Sequence, residues 1–470
     1  MDEFDVIVIG GGPAGENAAD YAIAGSTRTA VLIEHELVGG ECSYWACMPS
    51  KALLRPGQVL GAGRNMPGVR ADGLDVPAVL ARRDSYTSGH DDSSQVKWAE
   101  NQGIEVLRGH ARISGDRTVT IDGVRTLRAR EAVVLATGTG ASIPGTPGLK
   151  ESRPWTSRDV TNLREVPRRV VVVGGGVVAC EAATWLLDLG VEELTLVVRG
   201  HGLLPRMEPS AGDRVAEAFL ARGASVLLGT EVTSASRPGV ADTGIGRIHG
   251  GPVTVEVAGG DSIEADEIVV ATGRVPNTAD LGLDPSLLDD RGYITVDDTL
   301  ATPNGWLYAV GDCNGRSLLT HMGKYQARVC GDVIAARAEN RDLDHPRLRA
   351  SADHGQVPQV VFTAPEAASV GMTEAEAKEA GVDVETVQTD IAVAGSALAR
   401  DDFSGHAKLV IDRSTDTLVG ATFVGTEVSE LVHAATVAVV GRLGMDTLWH
   451  AVPSYPTVSE VWLRLLEARG

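Results

Sequence analysis

The chain has 470 residues, of which 43% are hydrophobic and only 4% aromatic; this length is enough for roughly two to four domains with cores of their own. Its 42 basic and 63 acidic residues give a net charge of -21, which opposes binding to nucleic acid or to anionic lipid. There is no run of about 18 apolar residues and no charged-then-apolar leader, so the sequence predicts a soluble cytoplasmic protein.

A dinucleotide-binding unit is predicted at the start of the chain. Residues 4–22, FDVIVIGGGPAGENAADYA, form a pattern of strand, glycine cluster and Ala-rich helix. In such a unit Gly10 permits the tight turn, Gly12 lets a pyrophosphate approach the backbone, and Gly15 allows close packing of helix on strand. The next strand ends in Glu34, whose carboxylate suits ribose hydroxyls and repels a 2′-phosphate. The unit is therefore expected to bind FAD or NAD, although an exposed strand end would also explain Glu34.

Two of the five cysteines, Cys42 and Cys47, lie in the next stretch, GGECSYWACMPSK at 39–51. A regular helix would hold them about 7.5 Å apart along its axis, farther than the Cα separation of roughly 4.4–6.8 Å in a disulfide. A bridge therefore requires a departure from helix around Cys42, for which Gly39 and Gly40 supply the freedom, while Pro49 limits regular helix beyond the pair. A nearby helix start would lower a thiol pKa, which suits a redox sulfur.

The cysteine pair is interpreted as a redox-active disulfide, because structural disulfides are uncommon in the cytoplasm. A metal site and an inert pair are the alternatives. No second CxxC or HxxxH motif supports a metal site, and the remaining cysteines lie singly along the chain: Cys180, Cys313 and Cys330.

A second dinucleotide-binding unit begins at residues 168–186, RRVVVVGGGVVACEAATWL. Gly174 and Gly176 take the first two glycine roles, and Ala179 replaces the third glycine. The following strand, LTLVV, is succeeded by Arg199 rather than by an acid, with Arg206 close behind. A guanidinium suits a 2′-phosphate, so this unit is expected to bind NADPH in preference to NADH. The alternative interpretation is that Arg199 and Arg206 are ordinary solvated cations in a loop.

Each unit has a distant partner strand that ends in ATG. These strands are VVLATGTG at 133–140, which contains Thr137 and Gly138, and IVVATGRVP at 268–276, which contains Gly273. A single glycine motif is a weak signal, whereas two copies in the same strand–helix context indicate a duplicated unit. Two dinucleotide sites in one chain predict electron transfer between a flavin and a nicotinamide.

The sequence resembles the class I pyridine nucleotide-disulfide oxidoreductases. This family includes dihydrolipoamide dehydrogenase, glutathione reductase and mercuric reductase. The resemblance rests on GGECSYWACMPSK, on LYAVGDCNG at 307–315, and on VPQVVFTAPEAASVGMTE at 357–374. It implies an α/β fold with two Rossmann-like domains and a C-terminal α+β dimerisation domain. The expected divisions are an FAD domain at 1–150, an NAD(P)H domain at 151–277, a central region at 278–350 and a dimerisation domain at 351–470.

The resemblance also implies roles for individual residues. Cys42 would exchange with substrate and Cys47 would face the flavin. Lys51 would lie near the flavin N5, paired with Glu181, and Asp312 would hold the ribityl chain. Thr137, Gly138, His321 and Met322 would lie near FAD.

One departure from the family pattern concerns the stretch VPSYPTVSEVW at 452–462. Family members that act on dithiols have a histidine, which serves the partner subunit's cysteines, where this chain has Tyr455; Glu460 matches the glutamate that orients it. A phenol with a pKa of about 10 does not shuttle protons near pH 7. Mercuric reductases share the tyrosine, but they carry a C-terminal cysteine pair that this chain lacks. His450 is a weaker alternative base.

The sequence therefore predicts a homodimeric, FAD-dependent enzyme that passes electrons from NAD(P)H through a disulfide to a disulfide, a metal ion or another small acceptor. The alternatives are a dihydrolipoamide dehydrogenase-like enzyme, a diaphorase or quinone reductase that uses flavin directly, and a non-catalytic redox sensor. Two features have two interpretations each: Tyr44 and Trp45 line the site or pack in the core, and TSGHDDSSQ at 87–95 borders a substrate channel or forms a solvated kink.

Overall fold

The computed structural model describes all residues from Met1 to Gly470. The elements up to residue 141 are β1 (Asp2–Ile9), α1 (Pro13–Ile23), β2 (Ala30–Glu34), α2 (Gly40–Tyr44), α3 (Cys47–Arg64), α4 (Val76–Tyr86), α5 (Ser93–Asn101), β3 (Ile104–Arg108), β4 (Ala111–Gly115), β5 (Thr118–Ile121), β6 (Arg125–Leu135) and β7 (Thr139–Ala141). The next are α6 (Ser157–Thr161), β8 (Arg169–Val173), α7 (Val177–Asp188), β9 (Glu193–Val198), α8 (Pro209–Ala221), β10 (Ser225–Leu228), β11 (Val232–Ser236), β12 (Val253–Val257), β13 (Ser262–Ala265) and β14 (Glu267–Val270). The last are β15 (Arg274–Pro276), β16 (Leu307–Ala309), α9 (Thr320–Ala338), β17 (Pro358–Val361), β18 (Glu366–Gly371), α10 (Glu374–Glu379), β19 (Val384–Asp390), α11 (Ala394–Ala399), β20 (Gly405–Asp412), β21 (Thr417–Gly425), α12 (Leu431–Val440), α13 (Met445–Trp449) and α14 (Val461–Arg469).

The first of two compact units consists of residues 1–49, 84–141 and 274–353. Its seven-stranded sheet has the order β3-β2-β1-β6-β5-β4, and β16 adds to β6. The strands β3, β2, β1, β6 and β16 run parallel, as expected for apolar strands covered on both faces. Helix α1 lies close to α9 because their facing residues are small: a Cβ on Gly331 would come within 2.5 Å of the Tyr21 Cβ.

The second unit consists of residues 50–83, 142–273 and 354–470. It contains a second parallel sheet of order β10-β9-β8-β14 and an antiparallel sheet of order β11-β12-β13. Its C-terminal part is an antiparallel sheet of order β17-β18-β21-β20-β19. Phe423 of β21 packs with Trp462 of α14 in a core that the helices α12 and α14 share with this sheet.

The predicted fold class is confirmed: two Rossmann-like sheets and a C-terminal α+β domain are present. The residue limits predicted for the domains stay a prediction. None of the helices is both long enough and apolar enough to span a membrane.

Candidate active site

The glycine turn of the first unit connects β1 to α1. Gly10 has φ +104°, and a Cβ there would lie 2.4 Å from the carbonyl oxygen of Ala136, at the end of β6. This contact explains why the glycine motif and the distant ATG strand occur together. Gly12 is the N-cap of α1 and offers no side-chain cap, and a Cβ on it would meet only open space. A Cβ on Gly15 would collide with the Gly10 carbonyl at 1.8 Å. The turn therefore offers uncapped helix N–H groups and room for a phosphate.

The carboxylate of Glu34 lies beside this turn, at the end of β2. It accepts hydrogen bonds from the backbone N–H of Gly11 at 2.6 Å and of Glu36 at 2.7 Å. Burial acts to raise the pKa of Glu34, but the hydrogen bonds from His35, Gly11 and Glu36 outweigh it and hold that pKa below its usual value. Glu34 therefore stays ionised at neutral pH, as an acceptor of ribose hydroxyls must.

Asp312, in the second predicted FAD motif, accepts a hydrogen bond from the Thr139 hydroxyl at 2.8 Å. Burial raises the pKa of Asp312. The guanidinium of Arg274 bonds the Thr139 hydroxyl at 2.5 Å and lies 4.0 Å from Asp312 and 3.8 Å from Glu41. Sequence reasoning missed Arg274, although it directly follows Gly273 of the ATG strand. Glu41 is the residue immediately before Cys42, so Arg274 lies close to the cysteine stretch.

The second glycine turn repeats the first in detail. Gly174 has φ +129°, and its Cβ would lie 2.4 Å from the Ala271 carbonyl oxygen, the same distance as in the first copy. Gly176 is the N-cap of α7 and offers no side-chain cap, and Ala179 in the first turn of α7 is fully buried. Arg199 follows β9 with its side chain 85% exposed and 3.8 Å from Glu231. Arg206 and Gly273 lie in the loops after β9 and β14, and Arg206 is exposed.

The chain breaks its helix between the two cysteines. Helix α2, which contains Cys42, ends at Tyr44, and α3 begins at Cys47. The two sulfurs are not joined in a disulfide, and Cys47 Sγ is 3.2 Å from the Thr320 hydroxyl. A hydrogen bond with Cys47, and then burial, raises the pKa of Cys42 well above its usual value.

One sequence expectation about this stretch is confirmed and one is wrong. Gly39 and Gly40, with φ of +109° and +56°, depart from helix just before Cys42. The chain leaves helix again at Trp45, and the next helix starts at Cys47. Pro49 does not limit helix beyond the pair, because it is the third residue of α3. A proline in the first turn of a helix has no intrahelical N–H bond to lose.

Lys51 lies one turn after Cys47 in α3, and its ammonium group is held by Glu181 of α7. Lys51 Nζ is 2.9 Å and 2.7 Å from the two Glu181 carboxylate oxygens. Glu181, which is 4% exposed, also accepts the backbone N–H of Phe362 at 3.0 Å. The Phe362 ring centroid is 4.9 Å from Lys51 Nζ, a cation–π distance. Sequence reasoning missed Phe362, whose signal was its place in the VVFTAP stretch.

The C-terminal site residues differ in burial. Tyr455 is 77% exposed, whereas Glu460 is buried and accepts the backbone N–H of Gly395 at 3.3 Å. His450 is exposed after α13. At the first turn of α9, His321 is exposed and Met322 is buried.

Comparison with known proteins shows the family to which this chain belongs. The pyridine nucleotide-disulphide oxidoreductase family matches residues 4–327, and the dimerisation domain of the same family matches residues 357–466. The chain belongs to this family. It is an FAD-dependent enzyme that takes electrons from NAD(P)H, and the match to a dimerisation domain supports a homodimer.

The relatives that match nearly the whole chain are enzymes with several different activities. A dihydrolipoyl dehydrogenase of Chlamydia muridarum is 30% identical over 98% of this chain and 96% of its own length. A mercuric reductase of Staphylococcus aureus is 29% identical over 97% and 81%, and a glutathione reductase of Burkholderia cepacia is 29% identical over 99% of both chains. The Cu(II) complex of the HOCl-induced flavoprotein disulfide reductase RclA from Escherichia coli shares the fold, with a TM-score of 0.83, 23% identity and 99% of both chains covered.

These findings decide the class of function and leave the acceptor open. Electron transfer from NAD(P)H through FAD to a disulfide is the function of the class, and the alternatives, among them a diaphorase, are not favoured. The chain's own geometry fits FAD, because the open cradle at Gly12, the ionised Glu34 and the buried Asp312 lie where a dinucleotide's phosphates and hydroxyls need partners.

Proposed function

We propose that this enzyme uses NADPH to reduce a Cys42–Cys47 disulfide, and that the resulting dithiol reduces a small oxidised acceptor other than an ordinary disulfide such as lipoamide or glutathione disulfide. The observation that carries the proposal is the hydrogen-bonded thiol pair across the break between α2 and α3. FAD, when bound, relays the two electrons of a hydride from the nicotinamide to the disulfide. Everything else in the reaction is assigned to side chains of this chain.

The two sulfurs have different roles. Cys47 is the first residue of α3, where the helix N-terminus and the Thr320 hydroxyl favour a thiolate. Cys42 keeps its proton, because its pKa is raised by the hydrogen bond with Cys47 and by burial. Reduction of the disulfide therefore uses two electrons and one proton, and leaves a thiolate on Cys47 and a thiol on Cys42. Cys42 is the sulfur that exchanges with the acceptor, and it attacks as a thiolate after its proton passes to the hydrogen-bonded Cys47 thiolate.

Lys51 and Glu181 are assigned to the electron-transfer step. The Lys51 ammonium supplies positive charge, and Glu181 holds it through two oxygens and limits the cost of its partial burial. On the FAD side, Gly10, Gly12, Gly15, Glu34 and the ATG residues Thr137 and Gly138 are assigned to binding, together with Asp312.

The preference for NADPH over NADH rests on the end of β9. Arg199 replaces the acid found at the corresponding position, Glu34, in the first copy, and its side chain is exposed enough to meet a 2′-phosphate. Arg206, exposed in the same loop, supplies a second cation. Gly174, Gly176, Ala179 and Gly273 are assigned to the pyrophosphate turn of this site.

Tyr455 is proposed to contact the acceptor in place of the histidine of dithiol-specific relatives. Its 77% exposure leaves the phenol outside the core, and Glu460 accepts the Gly395 N–H through one carboxylate oxygen at 3.3 Å. An acceptor that needs little proton transfer from the protein, such as a metal ion or an activated disulfide, fits this arrangement.

The test is NADPH-driven turnover of lipoamide, a small aromatic disulfide, a quinone, Hg(II) and Cu(II) by wild type and Cys42→Ser. Cu(II) is included because RclA was solved as a Cu(II) complex. Loss of disulfide or metal turnover in the variant, with quinone turnover retained, supports the proposal. Quinone reduction alone, equal in both proteins, would refute it, because the flavin would then act without the cysteines.

A further inference from the structure

The cysteine-bearing helix α2 is fastened at both ends by one segment distant in sequence, residues 87–92, called here the brace. Before α2, the backbone N–H of Val38 donates to the Asp92 carboxylate at 2.7 Å. That carboxylate is fixed from the other side by an ion pair with Arg108 of β3. After Cys42, the rings of Tyr44 and Trp45 pack against the imidazole of His90.

The aromatic contacts are specific in geometry. The His90 ring centroid lies 6.0 Å from that of Tyr44 and 5.7 Å from that of Trp45, with interplanar angles of 31° and 36°. Tyr44 and Trp45 meet edge to face at 5.6 Å. Both are buried, at 1% and 4% exposure, so packing explains them better than lining a substrate channel. The Tyr44 hydroxyl donates to the Val38 carbonyl at 3.1 Å, which connects the two fastened ends of α2.

The backbone of the brace adopts a conformation that the surroundings must enforce. Three successive residues, Ser88, Gly89 and His90, have φ of +50°, +60° and +65°. Only glycine adopts this left-handed region without steric opposition, and runs of it are rare. Backbone of this kind persists where the structure over-determines it, often at functional sites. Here it delivers the His90 ring to the residues between the two cysteines.

We propose that His90 is a positioning residue whose ring, held by the left-handed turn of the brace, keeps the Cys42 and Cys47 sulfurs adjacent. The break at Trp45 lies between the two cysteines, whose sulfurs share a hydrogen bond, and the tilted rings packed on His90 hold the break in place. Loss of the ring lowers the effective concentration of one thiol at the other and so disfavours the disulfide. The inference rests on the proposed function only in requiring that the pair form a disulfide.

The test is the thiol–disulfide equilibrium of the FAD-loaded protein in dithiothreitol buffers, read by alkylation and mass spectrometry. In this exchange dithiothreitol gives two electrons to the Cys42–Cys47 disulfide and closes to its cyclic disulfide; of its two thiol protons, one goes to Cys42 and the other to the buffer, because Cys47 stays a thiolate. His90→Ala is expected to shift the equilibrium about tenfold toward the dithiol, or about 30 mV for a two-electron couple. His90→Phe, which keeps a ring, should stay within about twofold of wild type. His433→Ala, exposed on α12, is the matched control and should change nothing.

Two results would overturn the inference. In one, His90→Ala matches wild type; in the other, His90→Phe shifts as far as His90→Ala, which would mean that the imidazole acts chemically rather than by packing. If His90→Ala fails to fold, Asp92→Asn tests the other end of the brace and should shift the equilibrium in the same direction. An unchanged equilibrium in Asp92→Asn would then refute the inference. Absence of any disulfide in wild type would refute the proposed function itself.

Discussion

Without Lys51, the Glu181 carboxylate should destabilise the fold. A variant that lacks both charges should therefore have a higher free energy of unfolding than a variant that lacks Lys51 alone. In Lys51→Met the Glu181 carboxylate, about 5% exposed, keeps only the Phe362 N–H of its described partners. Breaking a buried ion pair by removing one partner costs about 3–5 kcal/mol. The lower end, about 3 kcal/mol, applies because the Lys51 side chain is 38% exposed and water already screens the pair.

Addition of Glu181→Gln should then restore about 2 kcal/mol, because the amide oxygen still accepts the Phe362 N–H and no buried charge is left. Urea unfolding of the FAD-loaded protein at fixed concentration, followed by circular dichroism, measures the free energies of unfolding of wild type, Lys51→Met, Glu181→Gln and the double variant. Lys150→Met, at an exposed position, is the control and should cost under about 0.5 kcal/mol. If the double variant is no more stable than Lys51→Met, or if the two single effects simply add, Lys51 and Glu181 are not a coupled pair.

Three further predictions concern the nucleotide, the acid stability and the acceptor. Arg199→Glu should raise the KM for NADPH at least about tenfold and leave the KM for NADH within about twofold; equal effects would contradict a 2′-phosphate contact. Hydrogen bonds from Lys378 and Lys408 lower the pKa of Glu374 to about 2. The stability that they contribute is present above the usual pKa of 4.5 and lost as pH falls toward 2, so Lys378→Met should lose less stability over that interval in acid-unfolding scans. Tyr455→His should raise lipoamide turnover at least about tenfold by supplying a base near neutral pH, and unchanged turnover would mean that the phenol is not what limits dithiol chemistry.

The duplicated nucleotide unit could be predicted from the sequence because its physical cause is local in each copy. Each copy places a strand, a glycine with positive φ and a helix start in one short stretch. The partner strand must end in a small residue whose carbonyl oxygen lies against the glycine Cα. Gly10 with Ala136 and Gly174 with Ala271 meet this requirement at the same 2.4 Å. The cysteine pair was likewise visible from its spacing and its flanking glycines.

The contacts that the sequence did not reveal join residues far apart in the chain. Arg274 reaches Thr139 across 135 residues, and nothing in the local pattern of either residue records that contact. The same is true of His90, whose role depends on two rings some 45 positions earlier and on a left-handed turn that only tertiary packing enforces. Lys51 and Glu181, 130 residues apart, were paired only through a family resemblance.

The central claim is that the chain stores electrons in the cysteine pair as well as in FAD. An anaerobic titration of the oxidised protein with NADPH, read from the flavin absorbance, counts these electrons directly. Wild type should take up about two equivalents per FAD, one for the flavin and one for the Cys42–Cys47 disulfide, and Cys42→Ser about one. An endpoint of about one equivalent for wild type, identical to that of the variant, would show that the disulfide takes no part and would contradict the account.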